Sequence, residues 1–377
     1  MSRLLRVAVL NDRYPTLFGT PRRSAHAISR RLFLPTHKIS RRIESFTVMN
    51  TMNADLIHSF NRIPLLTGLP FVISFESHLP RYFGGEHTRL FALMRQRLAG
   101  PGCKRILAIS EFARRIFLDT HKDSEEYAAL EAKLQVTYPN VVLPDWSAEP
   151  SAADEPLRLL FVGAHFGRKG GAAAVRAAEI ARQRNLPIEV HIVSSLTVGP
   201  SVWTDPLDPA FFEPYFQALR GGNVRFDQGL PNSEVVALMR KADFTILTTF
   251  SDTFGYSAIE SMAVGTPVLA TPQGALPEFV TDGENGHMVG LATGPLGEWI
   301  HIARNDKAGP AYADLYRGEI ERIAEEIVDH VEPYCHDRAR LAVLRQGARR
   351  TAEKQFDTDK IGPRLDQLYE ECVRAQY

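Results

Sequence analysis

The chain alternates short apolar runs with longer amphipathic segments, and this alternation predicts most of its secondary structure. Continuous apolar runs are typical of strands that are buried on both faces. We predict such strands at residues 5–11, 54–60, 70–76, 105–110, 157–163, 188–194, 223–229, 243–250 and 267–271. Amphipathic segments predict helices at 22–34, 86–99, 111–119, 170–184 and 232–241, a helix through Glu260, and a helical tail over about 338–377.

A change of composition divides the chain. Residues 138–156 are rich in Pro, Ser, Ala and acidic residues, which is typical of a linker between domains. We therefore predict a Rossmann-like domain over 1–145 and a second over 146–354, with a C-terminal helix at about 355–377 that packs back onto the first. The predicted fold class is α/β, with two doubly wound domains facing each other across a cleft. A ligand should bind in that cleft, outside the carboxyl ends of the strands.

Polar residues at the ends of the predicted helices indicate where helices begin. Ser110 is placed to cap the helix that follows it, and Asn232 or Ser233 is placed to cap the helix at 232–241. Glu278 and Asp282 are typical of a further helix start, because carboxylates favour the first turn.

Two conspicuous features have an ordinary structural explanation. His58 ends a predicted strand, where a buried histidine with hydrogen-bond partners is commoner than a catalytic one. The insertion 198–214, with Trp203 and several prolines, either covers the ligand site or, more typically, forms a long surface loop.

The composition excludes several classes of protein. The formal net charge of the 377 residues is zero, which argues against a general nucleic-acid-binding protein. Cys103, Cys335 and Cys372 are far apart and predict neither a disulfide framework nor a zinc site, so a reducing cytoplasm is the expected setting. No apolar run is as long as a membrane span, and the first apolar stretch predicts a strand rather than a signal peptide.

The charge is unevenly distributed along the chain. Residues 1–50 hold ten Lys or Arg residues against two acids, Asp12 and Glu44. Such a basic face attracts an anionic ligand or an anionic membrane, and a solvated surface is an equally good explanation. Peripheral contact with the inner face of a membrane is therefore one expectation.

The stretch "SDTFGYSAIESMAVGTPVLATPQG", residues 251–274, follows a predicted strand and predicts an anion site at a helix start. Gly255 allows the backbone to approach a bound group closely. The amides of the next turn, from Tyr256 through Ser257 to Ala258, would point at a pyrophosphate as helix-start donors.

Two acids flank this helix start. Glu260 would lie about one turn into the helix, where a carboxylate accepts hydrogen bonds from ribose hydroxyls. Asp252 lies on the loop side, where the hydroxyls of a donor sugar would be. Backbone amides that can donate hydrogen bonds to a phosphate, with a carboxylate on either side, predict a binding site for a nucleotide-sugar.

These residues lie in a block, 223–289, that resembles the C-terminal domain of the GT-B glycosyltransferases of family 4, the retaining group 1 type. The block contains the family's paired acids, here Asp252 and Glu260. "FVGAHFGRKGG" looks like the family's glycine-basic loop, "VTYPNVV" resembles its stretch before the linker, and "ILAISEFARRIF" is similar to a further family segment. The resemblance implies the GT-B fold and sugar transfer from a nucleotide diphosphate with retention.

The resemblance also implies roles for individual residues of the second domain. Glu260 falls on the acid that holds the ribose. Asp252 falls on the family's Glu that faces the donor sugar, and its side chain is one methylene shorter. Phe254, Gly255 and Tyr256 fall on the backbone turn that meets the sugar and the phosphates.

The resemblance also implies which cations would bind the phosphates of the donor. Lys169 falls on the family's phosphate-binding lysine. The residue after Gly163 is Ala164, where the family has Arg, and Arg168 is a candidate to supply the missing guanidinium. Cations here assist departure of the diphosphate, so we expect no metal ligands and no cofactor beyond the UDP- or GDP-linked donor.

The first domain departs further from the family. Gly19, in "YPTLFGTPRRSAH", stands where the family often has two glycines near the donor phosphate. Glu76 stands where many members have a His near the transferred sugar, and His78 follows two residues later. Either of these side chains, or neither, takes that role.

The resemblance implies a hexosyltransferase that moves a sugar to a hydroxyl of a glycan or lipid-linked acceptor, in cell-surface polysaccharide or glycolipid synthesis. Two alternatives stay open. One is a nucleotide-sugar epimerase on the same scaffold, and the other is a non-catalytic glycosyltransferase-like subunit, favoured by Ala164 and the shorter Asp252.

Overall fold

The structure is a computed structural model that describes residues 3–11, 18–34, 36–146 and 155–374, with the backbone alone at His37 and Arg41. Part of the predicted linker, 147–154, lies outside the described residues. The chain forms two compact units. Unit 1 comprises Met1–Val142 and Gln355–Tyr377, and unit 2 comprises Leu143–Lys354.

Unit 1 is built on a parallel sheet of six strands in the order β2-β1-β4-β6-β7-β8. Its strands are β1 (Arg6–Leu10), β2 (Ala27–Arg31), β3 (Phe46–Thr47), β4 (Leu56–Phe60), β5 (Ile63–Pro64), β6 (Phe71–Phe75), β7 (Cys103–Ala108) and β8 (Leu134–Val136), with β3 and β5 paired separately. Its helices are α1 (Arg89–Ala99), α2 (Glu111–His121), α3 (Tyr127–Glu131) and α10 (Thr358–Arg374), with 3-10 turns at Thr36–Lys38 and Arg41–Ile43.

Alternation of side chains along the strands places a separate apolar cluster on each face of this sheet. Val7 and Val9 of β1 pack with Leu365 and Tyr369 of α10 on one face. Ala8 belongs to the cluster on the other face, together with residues of α1 and α2. Because both faces are covered, β4 and β6 are buried along their whole length, which is why they read as continuous apolar runs.

Unit 2 has a second parallel sheet, in the order β11-β10-β9-β12-β13-β14. Its strands are β9 (Leu157–Val162), β10 (Ile188–Val193), β11 (Val224–Asp227), β12 (Phe244–Leu247), β13 (Val268–Ala270) and β14 (Gly286–Met288). Its helices are α4 (Gly171–Gln183), α5 (Glu213–Ala218), α6 (Asn232–Lys241), α7 (Tyr256–Ala263), α8 (Pro310–His336) and α9 (Ala339–Gln355), with 3-10 turns at Gly199–Ser201, Pro209–Phe212 and Leu276–Glu278. One core cluster of this unit combines β9 and β10 with α4 and α8.

The helix predicted at 22–34 is wrong, because this segment contains strand β2. Ala27–Arg31 pairs in parallel with β1, and the ladder continues on both sides through Ala27 N to Leu5 O (2.9 Å) and Asn11 N to Arg31 O (3.0 Å). The backbone N–H and C=O groups along the edge of β1 need hydrogen-bond partners. Pairing with β1 satisfies them, and this outweighs the weak helical preference of the segment.

Two of the predicted helix starts are also wrong. Helix α6 has the predicted bounds, but Pro231 is its N-cap and, among described residues, no side chain caps it. Glu278 ends a single 3-10 turn and Asp282 lies in the loop before β14. The cap at Ser110 is confirmed, since its hydroxyl accepts a hydrogen bond from Ala113 N at 3.0 Å.

None of the helices in the described ranges combines the length and the apolar character that crossing a bilayer requires.

Helix α9 approaches the loop before β14 through a glycine. A Cβ at Gly347 would lie 1.8 Å from the carbonyl oxygen of Glu284. We predict that Gly347→Ala destabilises the protein by about 1–3 kcal/mol, because the helix must move away from this backbone. Gly318→Ala on α8 is the matched control: no atom outside the neighbouring backbone of its own helix lies within 4 Å of the added carbon, so we expect a gain of about 0.5–1 kcal/mol. Urea unfolding measures both, and equal effects would contradict the prediction.

Candidate functional site

Two loops of unit 2 meet at the carboxyl edge of its sheet, where neighbouring strands β9 and β12 end. The ammonium group of Lys169, on the first loop, pairs with the carboxylate of Asp252, on the second. Both side chains are largely buried, with exposed fractions of 20% and 10%. The structure therefore brings these two predicted site residues into direct contact.

The charges of the site influence one another. Burial alone would raise the pKa of Asp252, but the cations of Lys169 and Arg168 hold that pKa below its usual value. Burial and the same two cations lower the pKa of His165. Asp252 is therefore ionised and His165 neutral at physiological pH, so the pair and its neighbours present a well-defined charge to a ligand.

Arg168 has a positioning role in this structure. Its guanidinium donates to the carbonyl oxygen of Ser251 and to Nδ1 of His165 (3.2 Å). It also lies over the Trp203 ring, 4.5 Å from the centroid, while the Trp203 indole donates to Ser251 Oγ at 3.2 Å. Arg168 thus joins the loop after β9 to the loop after β12, beside the Lys169–Asp252 pair.

The loop that carries Asp252 leads into helix α7, which begins four residues later at Tyr256. Gly255 is its N-cap with φ 88°, and Tyr256 and Ser257 are its first two residues. Phe254 is fully buried against the ring of Phe279 (5.4 Å between centroids), so its contribution to the site is its backbone. The first amides of a helix have no acceptor within the helix, so this helix start is suited to an anion.

Glu260 lies one turn further along α7 and is half-buried. The side-chain amide of Asn232, the first residue of α6, donates to Glu260 Oε1 at 3.1 Å. Asn232 thus orients this carboxylate instead of capping its own helix.

Sequence reasoning missed the contribution of Gly274. A Cβ there would lie 2.1 Å from the carbonyl oxygen of Asp252, and its φ is 62°. Gly163 is also close-packed, because a Cβ there would lie 3.1 Å from Cβ of Lys169. The glycine that ends the motif "TPQG" was the available signal, since it follows β13 at the same edge of the sheet.

In unit 1, Glu76 follows β6 and lies beside Asn61, which follows the neighbouring strand β4. Asn61 donates to Glu76 Oε1 at 3.2 Å and accepts from the Glu76 amide at 3.2 Å. The guanidinium of Arg81 donates to the same oxygen at 3.1 Å. Asn61, which has a φ of 55°, thus holds Glu76 in place, and sequence reasoning missed this contact.

Gly19 lies at the same edge of the unit 1 sheet. A Cβ on it would lie 3.4 Å from the ring of Phe60, the last residue of β4. Asn140, from the "YPNVV" stretch, holds this segment by donating to the carbonyl oxygens of Phe18 (2.8 Å) and Thr20 (2.9 Å).

The two histidines of unit 1 differ in their surroundings. His78 is half-buried edge-on to the ring of Phe83, and burial lowers its pKa. His58 is buried with both ring nitrogens 2.7 Å from hydroxyls, those of Tyr369 and Ser74. Burial lowers the pKa of His58 to about 3, which confirms it as a neutral core histidine.

The insertion 198–214 carries Trp203 to the site and is anchored by a buried acid. Asp205 accepts hydrogen bonds from the Gly199 amide (3.2 Å) and from the hydroxyls of Thr204 (3.1 Å) and Tyr316 (3.3 Å). Burial raises the pKa of Asp205 to about 7 despite these bonds.

The raised pKa predicts a pH-dependent stability. In the unfolded chain the pKa of Asp205 is its ordinary value of 3.8, whereas in the folded protein that pKa is about 7. The contribution of protonated Asp205 to the free energy of unfolding is therefore fully present below about pH 4. It is lost as the pH rises towards 7, at about 1.4 kcal/mol per pH unit. Asp205→Asn should flatten the fall in unfolding free energy between about pH 4 and pH 7. The exposed neighbour variant Asp208→Asn should follow the wild type, and identical profiles for all three proteins would contradict the assignment.

Residues 144–290 match the family model of glycosyl transferases group 1. The D-inositol 3-phosphate glycosyltransferase of Thermobifida fusca is 28% identical over 197 residues, 48% of this chain and 45% of that protein. A protein of the same name from Corynebacterium glutamicum is 44% identical over 66 residues, 18% of this chain and 16% of that protein. The chain thus spans less than half the length of these relatives.

Solved structures are similar over most of the chain at low identity. Anabaena HepE in complex with UDP and glucose has a TM-score of 0.60 at 13% identity, covering 97% of this chain and 99% of that chain. A glycosyltransferase from Rickettsia africae ESF-5 has a TM-score of 0.56 at 16% identity, covering 85% and 77%. The likeness confirms the predicted fold class. The segment 144–290 is thus similar to the group 1 glycosyl transferases, and the chain has two Rossmann-like units with the GT-B fold.

Proposed function

We propose that this protein is a retaining hexosyltransferase of family 4 that transfers a sugar from a UDP- or GDP-linked donor to a hydroxyl acceptor. The observation that carries the proposal is the Lys169–Asp252 pair beside the N-terminus of α7, with Glu260 one turn into that helix. Relatives named as glycosyltransferases and a similar fold that was solved with UDP and glucose support this class of donor.

The diphosphate would bind at the start of α7. The amides of Tyr256 and Ser257 supply donors that are already oriented, so little reorganisation is needed as charge develops on the leaving group. Lys169 supplies the cation, and its partner Asp252 directs it to this edge of the sheet. Arg168 adds positive potential from its place between Ser251 and Trp203.

The two acids would hold the sugars at either end of the diphosphate. Glu260 would accept hydrogen bonds from the ribose hydroxyls, and Asn232 fixes the carboxylate for this purpose. Asp252 would accept from a hydroxyl of the donor sugar with the oxygen that is not engaged by Lys169. Glu76, held by Asn61 and Arg81, is the candidate from unit 1 for contact with the transferred sugar, with His78 as the alternative.

For the chemistry, we propose front-side displacement. The departing phosphate oxygen would take the proton of the acceptor hydroxyl as the new bond forms on the same face of the sugar. The protein's contribution is then positioning and charge stabilisation, with cations in the place of a metal ion. The acceptor would be a glycan or lipid-linked hydroxyl, with polysaccharide or glycolipid synthesis as the process.

The decisive experiment incubates the protein with UDP-, GDP- and ADP-sugars, preselected by thermal shift, and measures nucleoside diphosphate release with candidate acceptors. We expect release that depends on an acceptor and continues in EDTA. Glu260→Ala should weaken nucleotide binding roughly tenfold to a hundredfold, since hydrogen bonds to a charged group are lost.

The control variant and the other possible results distinguish the alternative functions. Glu234→Ala, an exposed carboxylate on α6, is the matched control and should bind nucleotide like the wild type. A product formed from the donor alone would favour an epimerase, and nucleotide binding without release would favour a non-catalytic subunit. Turnover that EDTA abolishes and magnesium or manganese restores would contradict the metal-independent mechanism.

We also propose that unit 1 contacts an anionic membrane surface on the cytoplasmic side. Five large apolar side chains between residues 32 and 66 of unit 1 are between 48% and 89% exposed: Leu32, Leu34, Ile39, Met52 and Leu66. Backbone hydrogen bonds join their segments, from Leu34 N to Val48 O and from Leu65 N to Thr47 O, each 2.8 Å. Residues 27–53 also carry five Lys or Arg against the single acid Glu44. Apolar side chains among cations suit an anionic lipid interface.

Co-sedimentation with vesicles tests the membrane proposal. We expect binding to vesicles with anionic lipid, reduced in high salt and for neutral vesicles. Leu32→Ser combined with Ile39→Ser should weaken binding about tenfold, because apolar area no longer enters the interface. Val343→Ser removes an exposed apolar side chain from unit 2 and should have no effect. Equal losses for both proteins would contradict the proposed surface.

A further inference from the structure

Three side chains with metal-binding groups converge in unit 2, between the edge strand β14 and helix α8. Asp282 lies before β14, His287 lies on β14, and His330 lies on α8. One potential ligand atom from each lies within 4.8 Å of the other two. Asp282 Oδ1 is 3.0 Å from His287 Nδ1, and the two imidazole rings stack with centroids 4.8 Å apart and planes 17° apart.

We propose that Asp282, His287 and His330 bind a divalent first-row transition metal ion of the zinc class. Two imidazole nitrogens and one carboxylate oxygen form a donor set that suits Zn²⁺ or Co²⁺, with the remaining position open to water. Nothing in the donor-binding site takes part, so this binding is independent of the proposed sugar transfer.

The surroundings of His287 suit a metal ligand. Its Nε2 is 2.9 Å from the hydroxyl of Tyr334, one turn after His330 on α8. A hydroxyl both donates and accepts, so the ring proton can move to Nε2 and be donated to Tyr334 when the ion takes Nδ1. A partner on the second nitrogen fixes the tautomer and orientation of metal-bound histidines.

Binding requires a small contraction of the cluster. Two ligands of one tetrahedral zinc ion lie about 3.3 Å apart for bonds of roughly 2.0 Å, which is shorter than the widest separation here. Asp282 is 60% exposed and can approach, while its Oδ1 keeps the hydrogen bond from the Met288 amide (3.1 Å) if Oδ2 takes the ion. Arg340, 5.6 Å over the Tyr334 ring, is the nearby cation that opposes binding.

Calorimetry with ZnCl₂ on the full chain, freed of metal by EDTA and dialysis, tests the site. We expect one ion per chain, a rise in melting temperature with zinc, and a visible absorption band with Co²⁺. His330→Gln and Asp282→Asn should each weaken zinc binding at least about tenfold, and Tyr334→Phe roughly tenfold to a hundredfold. His191→Gln is the matched control, because His191 pairs with Asp227 at 2.7 Å but has no third ligand among the described residues.

The readouts separate the outcomes. Circular dichroism checks that each variant is folded, and Asp282→Asn, at the exposed member of the cluster, keeps the test valid if a change at the buried His287 unfolds the unit. Zinc binding that His330→Gln and His191→Gln reduce equally, or no zinc binding by the folded wild type, would overturn the proposal. Nucleoside diphosphate release should be the same for His330→Gln and the wild type, so failure of the transferase proposal leaves this one standing.

Discussion

The ion pair between Lys169 and Asp252 holds together the two loops from which the candidate site is made. Both groups are largely buried, and a buried charge without its partner is costly, so the pair fixes the loop after β9 against the loop after β12. Arg168 and Trp203 reinforce the same junction, and Gly274 allows the next loop to approach Asp252 O. The start of α7 is thereby presented at one defined place on the sheet edge.

The sequence predicted much of the framework, because buried strands and amphipathic helices leave local periodic patterns. The predicted strand at 188–194 matches β10 to within one residue, and the predicted helix at 232–241 matches α6. Strand β2 was predicted as a helix because its stability comes from pairing with β1, which no local pattern records. Asn232 shows the same limit at one side chain: its sequence context favours a cap, but a carboxylate 28 positions away takes its hydrogen bond.

The site was partly predictable for a similar reason. Asp252, Gly255 and Glu260 lie in one continuous stretch, so their spacing alone indicated a helix start between two acids. Asn61 and Asn140 were not found, because each acts by hydrogen bonding to residues far away in the chain. The same holds for Asp282, whose partners His287 and His330 are brought near it by strand and helix packing.

The proposed function thus depends on one short stretch of chain, in which a helix start between two carboxylates would bind a diphosphate. The most direct measurement is a crystal structure of the protein with UDP or GDP. The account predicts diphosphate oxygens within hydrogen-bonding distance of the Tyr256 and Ser257 amides and of Lys169, with the ribose on Glu260. A fully occupied nucleotide bound elsewhere, with the start of α7 empty, would contradict it.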